Sequence, residues 1–253
     1  MKTNPFRLEG KSAIVTGANT GLGQGMAVAL AEAGADICLV GRSAPSETLD
    51  MLAGTGCKTH SILADLGSAD SVETIVTEAK SALGAVDILI NNAGIIKRND
   101  SIDFTFDEWD SVMNVNLRTL FFLSQAVARE MIAASKGGKI VNIASMLSFQ
   151  GGIRVPSYTA SKSGVAGLAK SPPNEWAKQT VNVNAIAPGY FATNNTAALQ
   201  ADETRNTEIL GRIPAGRWGK PSDLGGAAVF LSSSASDYVQ GITLPVDGGW
   251  LAR

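Results

Sequence analysis

Histidine and cysteine are scarce in this chain of 253 residues, and neither supports a familiar site. The one histidine, His60, has no cysteine, aspartate or second histidine at a metal-ligand spacing, and no G-x-S-x-G motif accompanies it. The sequence therefore favours neither a zinc site nor a Ser-His-Asp hydrolase, and we expect no metal. The two cysteines, Cys38 and Cys57, are too few for a disulfide framework, which indicates buried free thiols in a reducing cytosol.

An excess of one charge and long apolar runs are also missing. The 21 Lys and Arg residues are balanced by 23 Asp and Glu residues, so no excess of positive charge indicates binding to a nucleic acid or an anionic membrane. No apolar run reaches the ~18 residues of a membrane-spanning helix, since residues 27–40 contain Glu32 and Asp36. The first residues lack the apolar region of a signal peptide. We expect a cytoplasmic protein that binds neither nucleic acid nor membrane.

Short apolar segments alternate with helical patterns along the whole chain. Strands are predicted at 13–15, 37–40, 60–64, 86–90, 140–144, 181–187 and 242–246. Helices are predicted at 21–33, 68–83, 107–135, 157–178 and 221–232, with a short helix near 202–210. Strands that are apolar on both faces and alternate with helices indicate a parallel sheet covered on both sides. We expect an α/β fold with a single domain over 1–253, in which a Rossmann-like, doubly wound parallel sheet has about seven strands.

Two segments depart from this alternation. Residues 190–219 are polar, irregular and follow a predicted strand end, where a substrate lid would lie; an ordinary surface excursion is the alternative. Pro172 and Pro173 interrupt the helical pattern of 157–178, and an interior proline costs a hydrogen bond and about 3 kcal/mol. We expect a break near Lys170 and a second helical piece that restarts at Pro173.

A glycine-rich loop, T-G-A-N-T-G-L-G at 16–23, joins the first predicted strand to the first predicted helix. Its glycines permit close backbone approach to a pyrophosphate, and the helix N-terminus supplies free N–H groups. This context predicts dinucleotide binding. At the end of the second strand, Gly41 stands where an NAD site places an acid, and Arg42 follows it. A guanidinium can pair with a 2′-phosphate, which favours NADP(H); a solvated surface Arg42 is the alternative.

Four polar residues form a candidate catalytic set. Tyr158 and Lys162 lie one turn apart at the start of a predicted helix, and a nearby cation is expected to lower the pKa of the phenol for general acid–base catalysis. Ser145 ends the fifth predicted strand, where its hydroxyl can bind a substrate oxygen. Asn116 lies inside a predicted helix, where an asparagine usually faces solvent. The alternatives are an exposed helical pair, a turn-forming serine and a surface amide.

These motifs, with N-N-A-G at 91–94 and P-G-x-x-x-T at 188–193, resemble those of the short-chain dehydrogenases/reductases over nearly the full length. The resemblance implies that Ser145 holds the reacting oxygen, Tyr158 transfers its proton and Lys162 binds the nicotinamide ribose. It also implies that Asn116 holds a water of the proton relay, that NAD(P)(H) is the cofactor and that the protein is a homotetramer. With Arg42, the expected cofactor-binding residues are Gly17, Asn19, Thr20, Gly21, Leu22, Gly23, Asp65, Leu66, Asn91, Ala93, Gly94, Tyr158, Lys162, Pro188, Gly189 and Thr193.

Longer matches resemble one subgroup, the 2-dehydro-3-deoxy-D-gluconate 5-dehydrogenases. They include N-I-A-S-M-L-S-F-Q-G-G-I-R-V-P-S-Y at 142–158 and V-D-G-G-W-L-A-R at 246–253. The resemblance implies interconversion of 2-dehydro-3-deoxy-D-gluconate and its 2,5-diketo form, in the breakdown of pectin and related uronate polymers, with reduction as the metabolic direction. The subgroup is usually described as NAD-dependent, whereas Arg42 favours NADP(H).

The sequence contains residues that could bind a small keto sugar acid. Such a ligand needs a cation to bind its carboxylate and polar groups to bind its hydroxyls. Arg154 is favoured for the carboxylate because it lies four residues before Tyr158; an arginine that braces its loop is the alternative. The substrate-binding residues expected are Ser145, Gln150, Arg154, Asn194, Arg205 and Arg217.

Two other functions stay open. The first is a neighbouring short-chain reductase that acts on gluconate, another polyol or a 3-oxoacyl thioester. The second is an NAD(P)-binding regulator without activity, against which the complete catalytic set argues.

Overall fold

The computed structural model describes residues 4–68 and 70–253, and its centre is one parallel sheet. The strands are β1 (Ser12–Thr16), β2 (Asp36–Gly41), β3 (Thr59–Leu63), β4 (Ile88–Asn91), β5 (Gly138–Ile143), β6 (Val181–Pro188) and β7 (Thr243–Val246). Their spatial order is β3-β2-β1-β4-β5-β6-β7, and all neighbours are parallel. The predicted doubly wound α/β fold is therefore confirmed. Residues 1–3 of the predicted domain and residue 69 of the predicted helix 68–83 lie outside the described residues.

Both faces of the central strands are buried, because successive strand residues point to opposite sides and helices cover each side, whereas the edge strands β3 and β7 are partly exposed. Val15 belongs to the buried cluster that includes Met26 of α1, whereas its neighbour Ile14 belongs to a second cluster that includes Ile75 of α3 and Val127 of α5. All residues of β6 are buried. This two-sided burial is the physical reason for the continuous apolar runs from which the strands were predicted.

Ten α-helices surround the sheet in the described part of the chain. They are α1 (Gly21–Glu32), α2 (Ser46–Leu52), α3 (Ser71–Leu83), α4 (Phe106–Met113), α5 (Leu120–Ala133), α6 (Pro156–Leu168), α7 (Pro173–Trp176), α8 (Ala197–Ala201), α9 (Glu203–Arg212) and α10 (Gly225–Ser232). The short helix predicted near 202–210 corresponds to α9, and a 3-10 turn, Pro221–Leu224, precedes α10.

The helix predicted at 107–135 is not a uniform α-helix. A π-helical segment, Asn114–Thr119, separates α4 from α5 and carries Asn116. The start of α4 is fixed by a capping box, in which Thr105 accepts from the Glu108 N–H while the Glu108 carboxylate accepts from the Thr105 N–H. The long apolar pattern predicted the helix but carried no signal of the π turn.

The predicted break in the helix 157–178 is confirmed. Helix α6 ends at Leu168, residues 169–172 form turns, and α7 begins at Pro173. The side-chain Nδ2 of Asn174 donates to the Lys170 carbonyl at 2.8 Å. In a continuous helix this carbonyl would accept a hydrogen bond from the backbone N–H of the same residue. Tyr158 lies upstream of the break, in the first turn of α6.

The two thiols differ in their surroundings. Cys38, in β2, is fully buried and unpaired, and burial raises the pKa of its thiol to about 12. Cys57 is unpaired but only partly buried, which corrects the expectation that both thiols are buried; its Sγ lies 3.0 Å from the Thr55 hydroxyl on a loop before β3.

The described ranges contain neither a membrane-spanning helix nor a metal-binding group of side chains. Over residues 4–68 and 70–253, no helix is both long and apolar enough to cross a bilayer. In the same ranges, no three His, Cys, Asp or Glu side chains group in a way that could hold a metal ion.

Candidate active site

A cleft of about 1150 Å³ opens at the carboxyl ends of the strands. The chain runs from β1 outward to β3 and then returns to the other side of β1 with β4, so the strand order reverses beside β1. The loops after β1 and β4 part at this reversal, which is where doubly wound sheets bind their ligands. Residues that follow β2, β5 and β6 also line the cleft.

The loop after β1 is shaped by its glycines. Gly17 and Gly21 have φ angles of +64° and +60°, which side chains with a Cβ rarely adopt. Gly23 packs so closely that a Cβ there would lie 2.3 Å from the Gly17 carbonyl oxygen. Asn92 holds the loop from across the reversal, since its Nδ2 donates to the carbonyls of Thr16 and Gly17 at 3.0 and 3.1 Å. The result is a cradle at the N-terminus of α1 that fits a pyrophosphate.

At the far end of this cradle, Arg42 lines the cleft directly after β2. Asn19 Nδ2 donates to the Ser43 hydroxyl at 2.7 Å, which joins the glycine loop to the loop that carries Arg42. Among the ion pairs of the described residues, none includes Arg42. Asp65 and Leu66 line the same end. The residues therefore fit the adenosine half of a nicotinamide dinucleotide with a phosphate on its ribose.

Two of the expected cofactor-binding residues do not line the cleft. Asn91 is buried within β4, where its Nδ2 donates to Ser124 and Asn142 at 2.8 and 2.9 Å, so it ties the sheet to α5. Gly23 faces the glycine loop itself, as described above. Asn92, from the same N-N-A-G motif, does line the cleft, because of the two adjacent amides only the second faces it.

Tyr158, Lys162 and Ser145 meet on the opposite wall of the cleft. Ser145 follows β5 and caps a 3-10 turn, with its Oγ accepting from the Leu147 N–H at 3.1 Å. Lys162, one turn beyond Tyr158 in α6, is almost fully buried; its Nζ donates to the Ile143 carbonyl at 2.5 Å and lies 5.6 Å from the centroid of the Tyr158 ring. The predicted strand end and the predicted helix face thus bring the three side chains together.

Burial controls the protonation of this wall. It raises the pKa of the Tyr158 phenol, and a hydrogen bond with Ser145 and the charge of Arg98 only partly oppose that rise. The expected lowering of this pKa by Lys162 is therefore wrong, because desolvation of the phenolate outweighs the nearby positive charges. Burial also lowers the pKa of Lys162 to about 8. A phenol that stays protonated at neutral pH is suited to donate a proton.

Asn116 is fully buried, contrary to the usual position of a helical asparagine. Its Oδ1 accepts from the Ile95 N–H at 2.8 Å, and its Nδ2 donates to the Ile95 carbonyl at 2.9 Å and to the Ser161 hydroxyl at 3.2 Å. Ser161 in turn donates to the Tyr158 carbonyl at 2.8 Å. Asn116 therefore fixes the loop after β4 to the helix that carries Tyr158.

Two expected substrate-binding arginines turn away from the cleft. Arg154 has a φ of +63°, is exposed, and its Nε lies 3.0 Å from Oδ1 of Asp100, so it joins the loop before α6 to the loop after β4. Arg217 makes a bidentate pair with Asp223 at 2.6 and 3.0 Å beside the 3-10 turn that precedes α10. Neither side chain lines the cleft, although the sequence places both in segments that border it, because position in the sequence does not fix the direction of a long side chain.

The other expected substrate-binding residues, Gln150, Asn194 and Arg205, do line the cleft. Sequence reasoning missed Arg98, after β4, and Arg212, at the end of α9, which line it as well. Helical spacing could have found Arg212, because it lies seven residues after Arg205 on the same face of α9. Trp250 forms part of this wall, whereas Trp218 packs behind it, 5.4 Å from the ring of Tyr190.

Comparison with known proteins places these features in context. A model of the short chain dehydrogenase family matches residues 11–204. The 2-dehydro-3-deoxy-D-gluconate 5-dehydrogenase of Escherichia coli strain K12 is 59% identical over the whole of both chains. The protein of the same name from Bacillus subtilis strain 168 is 53% identical over 98% of this chain and 97% of its own. A crystal structure from Agrobacterium tumefaciens with bound NADP is 58% identical, covers 99% of this chain and 100% of its own, and superposes with a TM-score of 0.94.

Proposed function

The chain belongs to the short-chain dehydrogenase family of NAD(P)-dependent oxidoreductases that act on CH–OH groups, and we propose that it reduces the 2,5-diketo form of a 3-deoxy sugar acid to 2-dehydro-3-deoxy-D-gluconate. The observation that carries this substrate is the full-length likeness to the E. coli protein of that name. The cleft supports it, because arginines and amides line the wall beside Tyr158 and Ser145.

The catalytic steps assigned to this chain concern the oxygen of the ketone. The reduced nicotinamide, when bound, supplies a hydride to the carbonyl carbon. Ser145 donates a hydrogen bond that orients the carbonyl oxygen, and the Tyr158 hydroxyl gives its proton to that oxygen as negative charge develops there. The raised pKa of Tyr158 supports this role, since the phenol enters the reaction protonated.

Lys162 and Asn116 support that proton transfer. Lys162 is almost fully buried but lines the cleft beside Tyr158, and we assign its ammonium group to the nicotinamide ribose. Asn116 holds the loop after β4 against α6 and so keeps the phenol and the cofactor cleft in a fixed relation. We assign it the ordering of a water on the path by which Tyr158 recovers its proton.

For the cofactor we propose a preference for NADP(H). Arg42 lines the cleft after β2, and the position before it is a glycine, so no acid repels a 2′-phosphate there. The remaining contacts are assigned to the cleft-lining members of the expected set, from Gly17 to Thr193. Residues 190–219, with α8 and α9, are proposed as the lid over the substrate, because four residues of α9 line the cleft.

The first experiment is the initial rate of reduced-nicotinamide oxidation with the 3-deoxy-2,5-diketo acid, measured separately with NADH and NADPH. We expect turnover with both and a higher kcat/KM with NADPH. Tyr158→Phe is expected to lose turnover while it binds NADPH as tightly as the wild type.

Other outcomes separate the alternatives. Reduction of 5-ketogluconate or of a 3-oxoacyl thioester in place of the diketo acid would assign the enzyme to a neighbouring reductase. Binding of NADPH without turnover on any of these ketones would favour a regulator.

We also propose a homotetramer in the cytoplasm. Exposed aromatic side chains, among them Phe106, Trp109 and Phe122 on α4 and α5, supply apolar surface that association would cover. The unpaired thiols fit a reducing compartment. Light scattering coupled to gel filtration tests the assembly, and a monomeric mass would contradict it; cell fractionation tests the location.

A further inference from the structure

One cation of the cleft is held in place by an aromatic ring. The guanidinium carbon of Arg212 lies 4.1 Å from the centroid of the Trp250 ring, and Nη2 lies 3.4 Å from Oε1 of Gln150. Among the ion pairs of the described residues, Arg212 has no acidic partner, whereas Arg205 on the same helix face pairs with Glu208 at 2.9 Å. Arg212 therefore brings an uncompensated positive charge to the cleft.

The ring beneath this cation is firmly fixed. Trp250 is only 4% exposed, and its ring lies 4.8 Å from that of Tyr190 in an edge-on arrangement. Its Nε1 donates to Oε1 of Gln150 at 3.1 Å. Arg253 donates to the Gly211 carbonyl at 2.6 Å and so fastens the segment after Trp250 to the end of α9.

A guanidinium over an aromatic face uses none of its N–H groups in that contact. One N–H group of Arg212 reaches Gln150, and the others remain to donate. Two parallel N–H groups of a guanidinium match the two oxygens of a carboxylate. Such a bidentate, charge-assisted pair is stronger than a neutral hydrogen bond. The stacked position also limits the rotamers of Arg212, so little conformational entropy is lost when an anion binds.

Gln150 contacts Arg212 and lies in the same segment as Ser145, so it relates the position of this cation to that of the proposed catalytic residues. Gln150 follows Ser145 by five residues, in the segment that begins with the 3-10 turn capped by Ser145. Arg98, in contrast, is close enough to Tyr158 for its charge to act on the phenol. A carboxylate bound there would bring the carboxylate and the adjacent C2 ketone to Tyr158, whereas the proposed reaction reduces the C5 ketone at the other end of the carbon chain.

We propose that Arg212, positioned by Trp250 and Gln150, binds the carboxylate of the substrate and makes this enzyme select sugar acids over neutral polyols. This inference rests on the proposed function, because it takes the substrate to be a sugar acid. Arg212 thus takes the role that the sequence suggested for Arg154, whose side chain pairs with Asp100 outside the cleft.

The test compares two ligands that share a chain of hydroxyl groups but differ in the carboxylate: D-gluconate and D-glucitol. Their affinities for the enzyme with bound NADP⁺ are measured by calorimetry for the wild type, Arg212→Gln and Arg212→Lys. We expect the wild type to prefer gluconate, and Arg212→Gln to weaken gluconate about 10- to 100-fold while glucitol binding is unchanged. Arg212→Lys should restore only part of the loss, since an ammonium is not bidentate.

Arg7→Gln is the matched control, because Arg7 is an exposed arginine that precedes β1 at the amino edge of the sheet, opposite the cleft. It should leave both affinities unchanged. Equal affinity of the wild type for the two ligands, or an Arg212→Gln variant that still prefers gluconate to the wild-type extent, would overturn the inference. A loss of gluconate preference in Arg212→Gln together with no turnover of the diketo acid would support the carboxylate site and reject the proposed substrate.

Discussion

At the scale of single residues, the environment of Tyr158 suits one direction of the reaction better than the other. A general base must be deprotonated before it acts, and burial raises the pKa of this phenol. A general acid must be protonated, which the same burial ensures at neutral pH. For the proton transfer proposed for Tyr158, this state favours donation to a ketone, and oxidation of the alcohol would need further positive charge near the phenol.

The lowered pKa of Lys162 predicts how the reduction depends on pH. We expect kcat/KM for NADPH, which reports groups of the free enzyme, to be level near neutral pH and to fall as the pH rises through about 8, because Lys162 then loses its charge. Initial rates across this range test the prediction. A profile that stays level up to about pH 10, the ordinary range for lysine, would contradict it.

The lowered pKa of Lys162 also makes the free energy of unfolding depend on pH. Its folded pKa of about 8 lies below the ordinary value of 10.5, so between these values the unfolded chain holds the proton more tightly. Burial of the charged lysine therefore destabilises the folded state fully below about pH 8. The free energy of unfolding rises as the pH increases from about 8 toward 10.5, because the folded state has then lost the proton.

Arg42 gives a prediction that concerns only the cofactor. We expect Arg42→Ala to raise KM for NADPH about 10- to 100-fold and to change KM for NADH less than about twofold, because only NADPH carries the 2′-phosphate. Steady-state rates with each cofactor measure this. Lys58→Ala, which removes an exposed charge just before β3 at the amino edge of the sheet, is the control. Equal effects on both cofactors would show that Arg42 is a surface residue without this role.

At the scale of elements, the π segment between α4 and α5 joins two parts of the site. A π turn places one extra residue in the helix and often occurs at functional sites. Here it carries Asn116, whose amide satisfies both backbone groups of Ile95 in the loop after β4. The loop that lines the cofactor cleft is therefore held by the same amide that contacts α6 through Ser161.

Substitution of this amide tests that connection. Asn116→Leu keeps the size of the side chain but leaves the Ile95 N–H and carbonyl without partners, so we expect unfolding free energy to fall by about 2–4 kcal/mol and turnover to fall with it. Urea unfolding and steady-state rates measure the two effects. Asn114→Leu, in the same segment but partly exposed, should change stability by less than about 0.5 kcal/mol. Similar losses in the two variants would show that the π segment, and not the amide, is responsible.

At the scale of the whole molecule, the sheet encloses a thiol that reports global unfolding. Cys38 is buried in β2 and its pKa is raised to about 12, whereas Cys57 is partly exposed on a loop. We expect a thiol reagent at about pH 8 to label Cys57 quickly and Cys38 only through unfolding. Saturation with NADPH at about 100 times its Kd should slow Cys38 labelling about 100-fold. Rapid labelling of both thiols would contradict this.

The sequence was sufficient for features that depend on local pattern. Apolar runs located the strands, the glycine spacing located the cradle, and the i, i+4 spacing of Tyr158 and Lys162 placed both on one helix face. The break before Pro173 was predictable as well, because a proline lacks an N–H wherever it lies. Each of these properties is encoded within a few neighbouring residues.

Features that depend on distant contacts were not predictable in the same way. The burial of Asn116 requires the Ile95 backbone, which arrives from another loop. Arg154 turns toward Asp100, and Arg212 toward Trp250, although nothing in the sequence near either arginine distinguishes them. The protonation of Tyr158 depends on how much of its ring the folded protein encloses. The choice among long, flexible side chains is made by tertiary structure.

The segment between β6 and β7 has a consequence for how such enzymes diversify. It supplies α8 and α9 to one wall of the cleft but adds no strand to the sheet between its flanking strands, which pair directly with each other. We expect replacements within α8 and α9 to leave the register of the sheet and the position of Tyr158 intact, whereas α10, in the same segment, belongs to the buried core. In the reaction proposed for this chain, changes confined to α8 and α9 would therefore alter which substrate is bound without moving the residues assigned to proton transfer.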